Sequence, residues 1–304
     1  MSNVDLALVK ELREKTSISM SQCIKALGAN DNNIDEAILW LKKNGTLKGD
    51  EKAGSLALEG KVIALIDHSM NVAAAIEVNC QTDFNARSSG FAEFCKAYAW
   101  YIINNDDRDR RKIDEARLEL AATTGENIVI RRDTRFSGEG NEKIYFSSYN
   151  HPGDKLCSIV EFGLSRAITA HDTDFHTFAE DVAMQVAANA PKFVKSGDIR
   201  EELINQQITI FQSQLMEEGK PTASWDKIIP GKLAKWRSEV VLLDQPCLKE
   251  PKTTIDAKRA EVSKMLGCEI EIRGFTRYAL GETSPKQEKK DLAKDVSDLI
   301  KGDN

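Results

Sequence analysis

Lys61–Asn79 reads KVIALIDHSMNVAAAIEVN. Two apolar, strand-length runs, KVIALID and VAAAIEVN, flank the short stretch His68-Ser69-Met70-Asn71. That pattern predicts an antiparallel hairpin with a short loop. Before residue 61 the apolar residues recur with helical spacing; from residue 61 the period changes. The change marks the passage from a helical module into a mixed α+β core.

Directly after the hairpin comes VNCQTDFNARSSGF, residues 78–91. A polar loop separates the second strand from the apolar run FAEFCKAYAWYII, which reads as a helix from Phe91. Phe84 stands alone in that loop, with Asp83 and Asn85 expected to hold its neighbours in water. Burying a phenylalanine is worth about 1.5–3 kcal/mol, so its place at a turn calls for a reason. It is either a hydrophobic staple on the helix opening near Phe91 or a residue meant for a partner.

Upstream, residues 4–45 read as three short helices. Val4, Leu8 and Leu12 stripe the first, and Ser19 with Gln22 and Asn33 with Glu36 form capping boxes for the second and third. The charged stretch TLKGDEKAGS links this unit to the core. Downstream, helices are expected at about 91–104 and 114–123. Three alternating runs follow, NIVIRRDTRF, EKIYFSSYN and KLCSIVEFGL, and then a helix, FHTFAEDVAMQVAANAP, closed by Pro191. Within 198–237, Ile204, Ile208, Phe211 and Leu215 fall at coiled-coil spacing, and Gly219-Lys220-Pro221 turns the chain back. A helical hairpin is thus inserted before a helix near 254–266 and a last strand, EIEIRGFTRYAL. Pro230 is expected to break the returning arm, which would restart there. Leu292, Val296 and Leu299 share a face on a terminal segment too short to be stable alone, so it is expected to dock on a partner.

With 304 residues, 41% hydrophobic and 30% charged, the chain has enough material for one to three cores. The net charge of −6 gives no attraction to phosphate backbones, so no direct nucleic-acid partner is expected. Arg108-Asp109-Arg110-Arg111-Lys112 sits beside Asp106 and Asp107 and reads as a mixed solvated surface. Met1–Ala7 is polar and acidic, and no apolar run approaches a membrane span. No secretory leader and no membrane are expected. Six scattered cysteines read as reduced thiols of a cytosolic protein.

The chemistry-bearing patterns are missing. There is no GxxxxGK[ST] and no GxGxxG, and neither HExxH nor a paired CxxC occurs. No metal, cofactor or catalytic residue is expected on that ground. His171 and His176 are off-phase for one helical face. A thiol-dependent enzyme built from Cys80 and His68 is one alternative, against which Cys80 reads as a packed strand-end thiol.

The chain resembles the elongation factor Ts family from end to end. The segments that carry the likeness are LVKELREKTSISMSQCIKAL, DEAILWLKKNG, EKAGSLALEGKV, EVNCQTDFNAR, GENIVIRR, DVAMQVAANAPKFV, LLDQPCLKEPKTT and FTRYALGE, in the family's order. The resemblance implies an α+β protein: an N-terminal three-helix, ubiquitin-associated-like module over 1–54 and a core of two antiparallel-sheet subdomains. These are 55–146, and 147–197 with 239–282; a coiled-coil hairpin over 198–238 and a C-terminal module over 283–304 complete it. It also implies a nucleotide-exchange factor for the GTPase elongation factor Tu, acting in the cytoplasm without bond chemistry of its own. Thr82, Asp83 and Phe84 match the family's inserting loop, which disturbs the partner's Mg²⁺ and phosphate site, and Asn85 is expected to bind the partner with them. Met20, Gly125 and His151 match further positions that approach the partner. Met20 also reads as a small-core residue, Gly125 as a helix C-cap and His151 as a loop residue. Three departures stand out. Ser17 and Ser19 replace glycines, Asn85 stands where members carry an apolar residue, and Pro230-Gly231 interrupts the coiled-coil arm, which argues against self-association through it. An adaptor that binds a small folded protein through the N-terminal module is the other alternative.

Overall fold

The structure is a computed structural model that describes residues 4, 8–12, 20–34, 36–37, 40–41, 57–105 and 110–283. The expected terminal face of Leu292, Val296 and Leu299 lies outside the described residues, as do Ser17 and Ser19.

In the N-terminal unit, α1 spans Met20–Ala29. Val9, Leu12, Cys23, Ala26, Leu27, Ala37 and Leu41 form a small core of their own. Asn33 Oδ1 accepts the Glu36 N–H at 3.2 Å, one half of the expected capping box.

The hairpin of residues 61–79 forms as expected. β1 (Glu59–Asp67) and β2 (Val72–Cys80) pair antiparallel in unbroken register from Glu59↔Cys80 to Asp67↔Val72. The turn is set by Asp67, whose carboxylate accepts the Ser69 and Met70 N–H groups, and by Asn71 at φ 54°, a left-handed conformation that asparagine tolerates. After β2 come a one-turn helix α2 (Asp83–Ala86) and two longer helices, α3 (Ser89–Asn104) and α4 (Arg111–Thr124). β3 (Val129–Ser137) then returns beside β2.

The second half repeats this plan. β4 (Ile144–Asn150) and β5 (Leu156–Leu164) form a hairpin, and α5 (Thr173–Asn189) follows. The inserted arms α6 (Glu201–Glu217) and α7 (Trp225–Val240) come next, and after them α8 (Ile255–Leu266). β6 (Ile270–Ala279) closes beside β5. Each three-stranded sheet therefore has its chain-order strands side by side, and each central strand carries a register shift after a glutamate, Glu77 in β2 and Glu161 in β5.

The sheets stack face to face with helices outside. Alternate residues of β2 (Val72, Ala74, Ile76, Val78, Cys80) pack under Phe91, Phe94, Tyr98 and Ile102 of α3. The intervening Ala73 and Ala75, with Val62 and Ala64, meet Phe146, Cys157, Ile159 and Tyr278 of the other sheet. Val160, Phe162 and Leu164 then pack under Phe175, Phe178, Val182 and Val186 of α5. The order is helix, sheet, sheet, helix. All of β2 is buried, including Glu77 on the face between the sheets.

Glu77 is fully enclosed and fully partnered. Arg132 Nε donates to it at 2.7 Å and the Gly281 N–H at 2.8 Å. The same guanidinium lies 4.0 Å from the centre of the Tyr278 ring and donates to the Ala279 carbonyl. One charge pair thus joins β2 and β3 to β6. The exposed edge of β1 is closed by Asn150, whose amide exchanges hydrogen bonds with both backbone groups of Ala64.

Four expectations change. The break expected at 146/147 falls inside β4, because Ile144 already pairs with Gly163; residues 138–143 make the connection between the sheets. The hairpin's end expected at 238 likewise falls inside α7. Arg110 is not part of a freely solvated surface, since its guanidinium pairs with the nearly buried Asp133, which also accepts the Tyr98 hydroxyl. Pro230 does not break the returning arm: α7 runs continuously from Trp225 to Val240. The residue faces solvent, where the loss of one backbone hydrogen bond costs least. Lys232 Nζ pairs with Glu218 at 3.4 Å and lies 5.8 Å from the Phe211 ring centre. Leu215 is buried in this two-arm seam, and Ile204, Ile208 and Phe211 are half-buried.

Two predictions follow from the packing. Glu77→Ala leaves the Arg132 charge without its main partner between the sheets and should cost about 3–5 kcal/mol in urea denaturation; a loss under about 1 kcal/mol would contradict the joining role. Gly231 has open space where a Cβ would sit and an ordinary helical backbone. Gly231→Ala should stabilise α7 by about 0.5–1 kcal/mol, read as slower amide exchange in that arm, and faster exchange there would refute it.

Candidate functional site

Cys80 ends β2, and the chain turns at once into the Gln81–Arg87 loop. Thr82 is the N-cap of α2: its backbone is extended (φ −116°, ψ 151°) and its hydroxyl oxygen accepts the Asn85 N–H. This one-turn helix has an inner and an outer side. Asn85 and Ala86 point inward and are buried, while Phe84 points outward and is 84% exposed. The staple alternative therefore fails for Phe84: it is Phe91, in the first turn of α3 itself, that is buried in the core. Asp83 pairs with Arg87 at 3.2 Å along the exposed side, a contact worth little in water.

Asn85 overturns the expectation that it sits in water beside the phenylalanine. It is 7% exposed, and its Nδ2 donates to Glu126 Oε2 at 3.1 Å. Here a polar residue occupies an inner position because a carboxylate from elsewhere receives it. Glu126 had no signal in the sequence. Besides Asn85 it accepts the Gln81 and Thr82 N–H groups, each at 3.1 Å, and the Thr82 hydroxyl at 2.6 Å. Burial opposes its charge, but the bonds from Thr82, Asn85 and the two backbone groups outweigh this and hold its carboxyl below the usual range.

Gly125 places that glutamate. It is the left-handed C-cap of α4 (φ 69°), donating its N–H to the Ala121 carbonyl, and it turns the chain out of the helix. Glu126 and Asn127 then lead into β3, which begins opposite Asn79 at the end of β2 where the loop starts. His151 comes to the same end by another route. It sits in the β4–β5 turn, within hydrogen-bonding distance of the Tyr149 hydroxyl (3.0 Å), and that turn is anchored on β1 by the Lys61–Asp154 ion pair and the Val62 N–H on the Asp154 carbonyl. Thr82, Asp83, Phe84, Asn85, Gly125 and His151 are thus gathered at one end of the core. Met20 opens α1, but its side chain lies outside the described residues.

The Cys80–His68 pairing is excluded by the hairpin register. Cys80 lies opposite Glu59 at one end, and His68 follows Asp67 at the other. Nine-residue strands hold the two apart by on the order of 25 Å. Burial, with the nearby charges of Glu126 and Glu59, pushes the Cys80 thiol up to about 12, the opposite of an activated nucleophile. All six cysteines are free, and among them only Cys247 is not fully buried. Among the described residues, no group of three or more His, Cys, Asp or Glu side chains could hold a metal ion, and no helix is long and apolar enough to cross a membrane.

Compared with known proteins, residues 81–282 match the model of a family described as Elongation factor TS. The Elongation factor Ts of Caulobacter sp. (strain K31) is 34% identical over 311 residues, covering 98% of this chain and 98% of that protein. That of Chloroherpeton thalassium (strain ATCC 35110 / GB-78) is 32% identical over 296 residues, covering 93% and 100%. That of Brucella ovis (strain ATCC 25840 / 63/290 / NCTC 10512) is 35% identical over 311 residues, covering 99% and 100%.

A thiol with so raised a pKa carries almost no thiolate near neutrality. Alkylation by iodoacetamide at pH 7.5 should therefore modify Cys247 first and leave Cys80 untouched in the folded chain. Rapid labelling of Cys80, read by peptide mass mapping, would contradict this.

Proposed function

Because the chain belongs to the elongation factor Ts family, whose members are the nucleotide-exchange factors for elongation factor Tu, we propose that it promotes GDP release from that GTPase by inserting Phe84. The family makes it a translation elongation factor of protein biosynthesis, an exchange factor rather than a catalyst of bond chemistry. One observation carries the finer reading. A phenylalanine ring 84% exposed stands on a loop held from behind, within the segment that matches the family.

An exchange factor works by binding the nucleotide-free partner better than the nucleotide-bound one, and the coupling is reciprocal. Phe84 enters between two helices of the partner GTPase and shifts the groups that hold its Mg²⁺ near the phosphates. Mg²⁺ neutralises phosphate charge, so a disturbed shell weakens nucleotide binding. The free protein forgoes about 1.5–3 kcal/mol of burial at Phe84, which is recovered when the ring is desolvated in the complex. Asp83 acts beside it at the rim, where its pairing with Arg87 is weak enough to exchange for a partner contact. His151 and Gly125 line the same end, and Met20 contributes from the N-terminal module. Thr82 and Asn85 serve by holding the turn, since both are engaged from within. The adaptor alternative accounts for the first fifty or so residues alone, whereas the relatives align over nearly the whole chain.

The test is a pair of measurements on Phe84→Ala. Release of labelled GDP from elongation factor Tu should slow at least about tenfold, the size of an interface hot spot, while the free variant loses less than about 1 kcal/mol of stability. Normal release by Phe84→Ala would sink the wedge reading. Asp83→Ala should move in the same direction with a smaller effect.

A further inference from the structure

We propose that Glu126 is the positioning residue of the exchange loop, a carboxylate that fixes the Phe84 backbone by four hydrogen bonds from the side away from the partner. The proposal rests on the reading of Phe84 as the inserting ring.

A single helical turn does not hold itself, because forming one fixes several dihedrals for very few bonds. α2 has two such backbone bonds, Ala86 N–H to the Thr82 carbonyl at 3.2 Å and Arg87 N–H to the Asp83 carbonyl at 3.1 Å. Phe84 adds little to the turn's order, because it is 84% exposed and buries little against its own chain. Order has to come from the inner side, and Glu126 is what the inner side meets. Its Oε2 accepts from the Gln81 N–H, the Thr82 N–H and Asn85 Nδ2, and its Oε1 from the Thr82 hydroxyl. These four donors bracket Phe84 in sequence: three precede it and one follows it. The tie is doubled by the Asn127 N–H, which donates to Gln81 Oε1 at 3.3 Å.

Asn85 fits the same scheme. An apolar residue there would fill the inner pocket but give Glu126 nothing; asparagine supplies the fourth donor. Gly125 gains a structural role too, since its left-handed turn swings Glu126 under the loop rather than around the next turn of α4. A loop ordered before the encounter loses less freedom in the complex, so Glu126 acts on exchange through Phe84 and not by contact with the partner.

The experiment uses the full chain and four variants: Glu126→Ala, Glu126→Gln, Phe84→Ala and the Glu126→Ala/Phe84→Ala double. Release of labelled GDP from elongation factor Tu should slow about tenfold in Glu126→Ala, but change less than about twofold when Glu126→Ala is added to Phe84→Ala. Glu126→Gln should stay within about threefold of the parent, since its carbonyl keeps the bonds from Gln81, Thr82 and Asn85. Equal slowing with and without Phe84 overturns the proposal, because it would mean a direct contact or a general loss of structure. Normal release by a folded Glu126→Ala overturns it as well. In the free protein, amide exchange at Gln81 and Thr82 should speed up at least about tenfold in Glu126→Ala, and unchanged protection there overturns the positioning role whatever Phe84 does. Should Glu126→Ala not fold, Glu126→Asp replaces it in every arm, because it keeps the charge but falls one methylene short of the four donors.

Discussion

A strand buried on both faces is the constraint from which this architecture follows. β2 has α3 over one side and the second sheet against the other, so its side chains have no solvent to face. Its inward alanines keep the sheets close, and its single carboxylate, Glu77, must be satisfied in place. Arg132 and the Gly281 N–H do that, and through them the first sheet is joined to the last strand of the second. An unpaired carboxylate in that position would be far more costly than the pair is favourable, so the pair specifies how the sheets meet.

The end of this fully held strand is where the functional loop begins. A wedge is useful only if it stands where it is needed before the partner arrives, and an exposed aromatic ring gains nothing by standing there. The protein resolves the conflict by separating the two sides of one helical turn. The outer side carries Phe84, Asp83 and Arg87; the inner side carries Asn85 and Ala86, received by Glu126 and the core under α3. The ring is unsatisfied, while the backbone that bears it is not.

The second half uses the same topology for a different end. Its central strand, β5, has a glutamate before the same register shift, yet Glu161 is half exposed beside Arg273 rather than enclosed between the sheets. Burial raises the Glu161 carboxyl, and the Arg273 charge opposes this. The long connection of this half, between β5 and β6, carries the inserted arms α6 and α7, which meet along one seam that stays half open.

The amino-acid sequence determined whatever depends on spacing within one segment. The two apolar runs in 61–79 gave the hairpin and the 3.6-residue stripes gave the helices. The four-three-four spacing from Ile204 to Leu215 gave the inserted arms, and one phenylalanine among polar residues marked the loop. Tertiary structure decided what depends on partners far along the chain. Asn85 turned inward because Glu126, 41 residues on, offers an acceptor, and Arg110 left the solvated surface because Asp133 lies across from it. Cys80 and His68, close in sequence, were driven apart because a hairpin places its turn and its open end at opposite extremes. Pro230 remained inside a helix because it faces solvent, and beyond it Lys232 pairs with Glu218 at the end of the facing arm. Periodicity records which face of an element is apolar. It does not record which distant side chain will stand opposite, because that choice is made by packing once the elements have met.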